Sequence, residues 1–207
     1  MIFESSRKLA VTACLALALG VTGAVAAPQV GQPAPEFTGT DTSGTTYKLS
    51  DLRGKTVILE WTNDGCPYVK KHYGSGNMQK LQKDTTADGV VWLTIASSAP
   101  GSQGNLSPAE HDALMTSRDA APTAVLLDED GTIGQAYGAQ TTPHMYIITP
   151  DGKLAYKGAI DDKPTADQAD IDSANNYVRQ ALGQIAAGKP VVPAVTRAYG
   201  CSVKYKS

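Results

Sequence analysis

A single cysteine stands inside "LEWTNDGCPYVKKHYG", residues 59–74. Cys66 follows an apolar run and precedes Pro67 and a segment of helical character. A cysteine at a helix start faces unpaired backbone N–H groups and the positive end of the helix dipole, and both favour thiolate over thiol. Pro67 suits the first helical turn, where its missing N–H costs nothing. Lys70 and Lys71 are expected to add positive charge about one turn away. The positions three residues to either side hold Asn63 and Val69, so no second cysteine is adjacent. Asn63 and the backbone near Gly65 are expected to offer hydrogen bonds to the sulfur.

The partner must lie elsewhere. Beyond Cys14 and Cys66 the sequence has one more cysteine, Cys201, in "AYGCSVKY". The stretch from Gly188 to Cys201, at roughly 3.3 Å per extended residue, is long enough to cross a domain of this size. Three readings stay open for Cys201: a resolving thiol in a redox cycle, a permanent staple for the tail, or no contact with Cys66.

A second feature is "TTPH", residues 141–144. A proline just before a strand can be cis. Pro143 in that form would leave the carbonyl and amide of Thr142 free to pair with a substrate.

The elements must bring these residues together. "TVILEW", "VVWLTIAS" and "TAVLLD" read as buried strands. "EFTGTD" and "TTYKL" read as short strands around a turn, and "SDLRGK" as one helical turn capped by Ser50. "SPAEHDALMTSR" carries a capping-box start at Ser107 and Glu110. "TTPHMYIITPDGKLAYKGAI" reads as two strands joined at "PDG". "TADQADIDSANNYVRQALGQIAAG" predicts one long helix with an apolar stripe. Strands alternating with helices, then a hairpin and a helix, imply an α/β fold with a mixed central sheet flanked by helices.

Residues 1–26 have a short basic head, an apolar run and a small-residue end at Ala24-Val25-Ala26. This is the pattern of a cleaved secretory signal peptide, which places the mature protein in the periplasm or outside the cell, with no stable membrane insertion after cleavage. Cys14 leaves with it. Cleavage also removes one glutamate and two basic residues, taking the formal charge from −2 to −3. That balance gives no electrostatic footprint for nucleic acid. The remaining chain divides into a domain at 27–187 and an extended tail at 188–207 carrying Cys201.

"VGQPAPEFTGTDTSGTTYKLSDLRGKTVILEW", Cys-Pro at a helix start and "TTPHMYIITPDGKLAYKG" together resemble the redoxin branch of the thioredoxin superfamily, which includes alkyl hydroperoxide reductases, thiol-specific antioxidant proteins and exported thiol–disulfide oxidoreductases. "CPYVKKHYG", "IDD" at 160–162 and "GCSVKY" are similar to a peroxiredoxin-like subgroup. The resemblance implies a thioredoxin-like fold with an N-terminal β extension. It implies an oxidoreductase with Cys66 at the active position, facing a cis Pro143. The substrate is then a peroxide or a protein or small-molecule disulfide, an external thiol is the reductant, and no cofactor is required. Catalytic roles fall to Cys66, Cys201 and Asn63, and substrate contacts to Thr142, Pro143 and Pro67. Position 63 lacks the hydroxyl with which peroxidases of the main kind hold a peroxide.

Two other function classes are compatible with these residues. Cys66, His72, His111, His144 and Cys201 are potential ligands of a soft or borderline metal such as copper, although their spacing matches no strong site and His111 reads as solvated. A binding domain that kept the fold and lost the chemistry is the other.

Overall fold

The computed structural model describes residues 27–206. The predicted signal peptide, with Cys14, therefore lies outside the described residues.

The central sheet has seven strands in the order β2-β1-β5-β4-β3-β7-β8. These are β1 (Thr38–Asp41), β2 (Thr46–Lys48), β3 (Val57–Trp61), β4 (Val91–Ala96), β5 (Ala124–Leu127), β7 (His144–Ile148) and β8 (Leu154–Gly158). Strands β3, β4 and β5 pair in parallel, and the rest pair antiparallel. The helices are α1 (Pro67–Gly74), α2 (Asn77–Ala87), α3 (Pro108–Ser117), α4 (Thr132–Tyr137) and α5 (Tyr177–Ala186). A separate two-stranded pair joins β6 (Thr141–Thr142) to β9 (Cys201–Ser202). This is the thioredoxin-like mixed α/β architecture expected, with β1 and β2 as the N-terminal extension.

Successive side chains of a strand face opposite sides of the sheet, and this builds two cores. Val57, Leu59 and Trp61 of β3 join Phe37, Tyr137 and Tyr146 on one face. There the Trp61 and Tyr146 rings meet edge-on at 5.1 Å. Ile58 of β3 faces the other side with Cys66, Met78, Trp92, Tyr156 and Val178. Glu60 is fully buried. Its carboxyl accepts from Tyr73 Oη (2.9 Å), Gln82 Nε2 (3.1 Å), Trp92 Nε1 (2.8 Å) and Thr94 Oγ1 (3.2 Å). Burial holds the Glu60 pKa above its ordinary value despite these bonds.

Two expected elements differ. The turn after β2 is a 3₁₀ helix, Leu49–Leu52, that starts after Lys48 and lacks a side-chain cap, so Ser50 lies inside it. The long helix predicted over 165–188 is two pieces: a 3₁₀ segment, Gln168–Ser173, and α5. The break has a local cause. Tyr177 N–H bonds the Ile160 carbonyl (3.0 Å) and Asn175 N–H bonds Asp162 (2.9 Å). Asn176 then starts α5 afresh by accepting from Arg179 N–H (3.0 Å). Among the described residues no helix is long and apolar enough to cross a membrane.

Candidate active site

Cys66 is the N-cap of α1, and Pro67 occupies the first helical turn. The loop before it is tied by Asn63. The Asn63 carbonyl accepts from Cys66 N–H (3.1 Å), its Oδ1 accepts from Gly65 N–H (2.9 Å), and its Nδ2 donates to the Gln103 carbonyl (2.9 Å). The side chain expected to donate to the sulfur is thus committed to the loop; it positions Cys66.

Cys66 is buried, and its thiol donates to the Thr142 carbonyl at 3.1 Å. The Thr142–Pro143 bond is cis. Thr142 was expected to present free backbone groups to a substrate. Its carbonyl instead accepts from Cys66, and the chain's own tail pairs alongside it. β9 lies antiparallel to β6, with Cys201 opposite Thr142 and Ser202 opposite Thr141. Both cysteines are unbridged, and the two thiols are close enough to shift each other's ionisation.

This surrounding sets the two thiols apart. Burial pushes the Cys66 pKa up, but donors close to the sulfur that would stabilise its thiolate, the Cys201 thiol first and then Val69 N–H, the Thr142 side chain and Cys201 N–H, outweigh it. The net shift is downward. Val69 N–H is one of the free donors of the α1 start, as the helix-terminus argument requires. Thr142 Oγ1 is buried with no hydrogen-bond partner while Cys66 is a neutral thiol, so its hydrogen is free for the thiolate. Cys201 moves the other way, up to about 11, through burial first and then through its bond to Cys66 and the Cys66 charge.

The tail is fastened before it reaches Cys66. Thr196 N–H and Lys157 N–H bind it to the outer side of β8 (both 3.1 Å). Thr196 Oγ1 meets Tyr156 Oη at 2.6 Å. Tyr199 then inserts its hydroxyl among buried groups of α1. Tyr199 Oη donates to Asp161 Oδ1 and lies 3.2 Å from His72 Nε2. Asn77 Nδ2 donates to His72 Nδ1 (2.9 Å), so the imidazole proton sits on Nε2 and points at Tyr199. Lys71 Nζ lies 3.6 Å from Asp161 Oδ2 and 5.5 Å from the centre of the Tyr199 ring. Tyr68 packs edge-on against the same ring. Gly200 (φ +138°) follows, where a Cβ would stand 2.0 Å from the Thr142 carbonyl oxygen. Only glycine allows the strand to approach that closely.

Several expectations are corrected here. Lys71 is buried against Asp161 and donates to the Lys163 carbonyl (2.7 Å), so it serves the tail anchor. Lys70 is exposed. His111 is buried, since α3 turns it inward, and burial lowers its pKa. His72 and His144 are both pushed down to about 4, chiefly by burial. His144 Nδ1 is occupied by Gln140 N–H (3.3 Å). Among the described residues no three His, Cys, Asp or Glu side chains gather as a metal site. Pro67 is exposed at the helix start and Pro143 is buried.

Sequence reasoning missed Tyr199, Asp161 and His72 as a unit. Their segments, "KKHY", "IDD" and "AYGC", carry the signal only as a set.

The chain is similar to known proteins. A family model described as AhpC/TSA family matches residues 30–157. Thiol-disulfide oxidoreductase ResA of Bacillus subtilis (strain 168) is 30% identical over 124 residues, which is 60% of this chain. The chain spans 64% of the length of that relative. An uncharacterized conserved protein from Geobacillus kaustophilus superposes with a TM-score of 0.72 at 27% identity, over 86% of this chain and 93% of its own. A hypothetical protein from Sinorhizobium meliloti 1021 gives 0.73 at 20% identity, over 88% and 97%, a likeness of fold alone.

Proposed function

Because the chain belongs to the AhpC/TSA family, we propose that it is a thiol–disulfide oxidoreductase that cycles through a Cys66–Cys201 disulfide. One observation carries this reading: β9 pairs with β6 in the register that sets Cys201 opposite Thr142, whose carbonyl holds the Cys66 thiol. A strand that lies beside its neighbour by a few backbone bonds can lift and return without unfolding the core.

With β9 lifted, the Cys66 thiolate attacks one sulfur of a substrate disulfide. A Cys66–substrate disulfide forms and the other substrate sulfur leaves as thiolate. Cys201 loses its proton, attacks Cys66 Sγ and expels the second substrate thiolate. The substrate has gained two electrons and the protein holds Cys66–Cys201. An external thiol restores the dithiol. Asn63 positions the Cys66 loop, and Thr142 and Pro143 form the surface under the reacting sulfurs. The leader-like residues 1–26 support an exported protein, in a compartment where such a disulfide persists. The domain at 27–187 then carries the fold and the tail carries the second thiol.

A peroxide is a second reading, favoured by the unpartnered Thr142 hydroxyl beside Cys66. It supplies next to the sulfur the hydroxyl that position 63 lacks. Cys66 thiolate would take one peroxide oxygen to become a sulfenic acid, and Cys201 would displace water to give the same disulfide.

The test is to oxidise the protein with one equivalent of a model disulfide or peroxide and map the bridges by mass spectrometry. A Cys66–Cys201 bond that mild thiols reverse is expected. Cys66→Ser is expected to abolish both turnover and bridging. Unchanged turnover in that variant would sink the proposal.

A further inference from the structure

We infer that the cavity enclosed by β7, β8 and the tail at 195–198 binds a small organic dianion through His144, Lys157 and Arg197, and that the bound anion holds the tail down. This goes beyond the redox reading and does not rest on the disulfide.

The cavity holds about 380 Å³. His144 of β7, Lys157 of β8 and Arg197 of the tail line it, and no aspartate or glutamate does. Among the described residues none of the three is paired with a carboxylate. Each keeps a donor for a ligand. Gln140 N–H donates to His144 Nδ1 (3.3 Å), so the ring proton sits on Nε2. That side chain is only 8% exposed, and Nε2–H meets no protein acceptor among the described residues. A buried donor without an acceptor is costly, and a ligand oxygen in the cavity would satisfy it. Lys157 Nζ uses one N–H on the Pro28 carbonyl (2.7 Å) and has two more. The Arg197 guanidinium is exposed and offers its fork to a carboxylate or phosphate. Arg197 also borders a neighbouring cleft with Asp161 and Asp162. Asp161 is engaged by Lys71 and Tyr199, Asp162 accepts from Asn175 N–H, and neither is within ion-pair distance of Arg197.

Charge and shape narrow the ligand. Burial and the Lys157 charge push His144 down to about 4. At neutral pH the ring is therefore an uncharged donor, and the lysine and arginine leave two positive charges for a dianion to balance. The Tyr146 ring, Val195 and Ala198 supply apolar wall, which suits a short carbon skeleton better than a bare ion. A dicarboxylate and a phosphomonoester share this chemistry. Arg197 stands four positions before Cys201. An anion that joins it to β7 and β8 adds a tie to the backbone bonds at Lys157 and Thr196, and so favours the docked β9.

The experiment titrates the full reduced chain with succinate and, separately, with glycerol phosphate at fixed ionic strength. NMR follows the histidine ring signals. A saturable shift of His144 with at least one of them is expected, while His111, on α3, stays still. The anion that binds tells whether carboxylate or phosphate is read. Arg197→Gln changes an exposed tail residue and is expected to weaken binding about tenfold. The bound anion is expected to slow alkylation of Cys66 by iodoacetamide severalfold. No saturable shift of His144 with either anion, or equal affinity in Arg197→Gln, overturns the site. Binding that leaves the alkylation rate unchanged overturns the hold on the tail. None of these results touches the Cys66–Cys201 bridge, which mass spectrometry reads separately.

Discussion

At the scale of single residues, the chemistry turns on what Cys66 meets when it loses its proton. The neutral thiol donates to the Thr142 carbonyl. The thiolate cannot donate, and the Thr142 hydroxyl stands ready beside it without another partner. A hydrogen bond to a charged group contributes about 1.5–3 kcal/mol, more than one between neutral groups. Thr142→Val keeps the shape and removes that donor. The Cys66 pKa lies below its ordinary value, so losing a bond that favours the thiolate must move it up. At mildly acidic pH less thiolate is then present, and exchange with a model disulfide is expected to slow about tenfold. Above the ordinary thiol range both proteins are ionised, and the two rates should converge. The thiolate's ultraviolet absorbance, followed across pH, reads the same shift directly. Superimposable titrations of variant and parent would remove Thr142 from the site. Cys66 and its proline were legible in the sequence because a helix start is a local pattern. The Thr142 hydroxyl was not, because its role depends on a strand pairing that no local pattern encodes.

At the scale of elements, the question is how a short strand is held against Cys66. β6 and β9 are two residues each, too short to hold a register by themselves. The register comes from Tyr199, whose hydroxyl enters a buried group made by α1 and the loop after β8. Tyr199→Phe keeps the ring against Tyr68 and Lys71 but removes the bond to Asp161. It also leaves His72 Nε2–H without its acceptor. Loss of about 1.5 kcal/mol, the lower end for a bond to a charged group, corresponds to roughly a tenfold change in equilibrium. In the dithiol form the lifted fraction of β9 in Tyr199→Phe should therefore rise about tenfold, read as faster alkylation of Cys66 by iodoacetamide. An unshifted equilibrium would mean that the backbone bonds at Thr196 and Val203 suffice. The order of strands and helices was readable from apolar runs and turn residues. The long C-terminal helix was overextended because its apolar spacing continues through Ile171 and Ala174. Only the bonds from the 175 and 177 N–H groups to the Asp162 side chain and the Ile160 carbonyl interrupt it, and those are tertiary. The anchor was unreadable for the same reason: His72, Asp161 and Tyr199 are far apart in sequence, and none is distinctive alone.

At the scale of the whole molecule, the tail is both a structural wrap and half of the redox couple, and thermodynamics ties those roles together. Cys66 and Cys201 are 135 positions apart. Closing so long a loop restricts the unfolded chain by up to about 5 kcal/mol in the chain-entropy model. The stabilisation gained on oxidation equals the preference of the folded chain over the unfolded chain for the bridge, because the four states form a closed cycle. A permanent staple sits at the high end, raising the melting temperature by roughly 10–20 °C for a chain of this size. A bridge meant to be opened by ordinary thiols must return part of that free energy as native-state cost. Oxidation supplies that cost: it removes the thiol protons, and with them the bond from Cys66 to the Thr142 carbonyl. The expected outcome is a rise of only a few degrees between the reduced and oxidised forms. Cleavage by added protease near the exposed Val192 and Val195 should slow modestly alongside it. A rise of 15 °C or more, with a bridge that resists millimolar glutathione, would make Cys201 a staple and leave Cys66 without a resolving thiol.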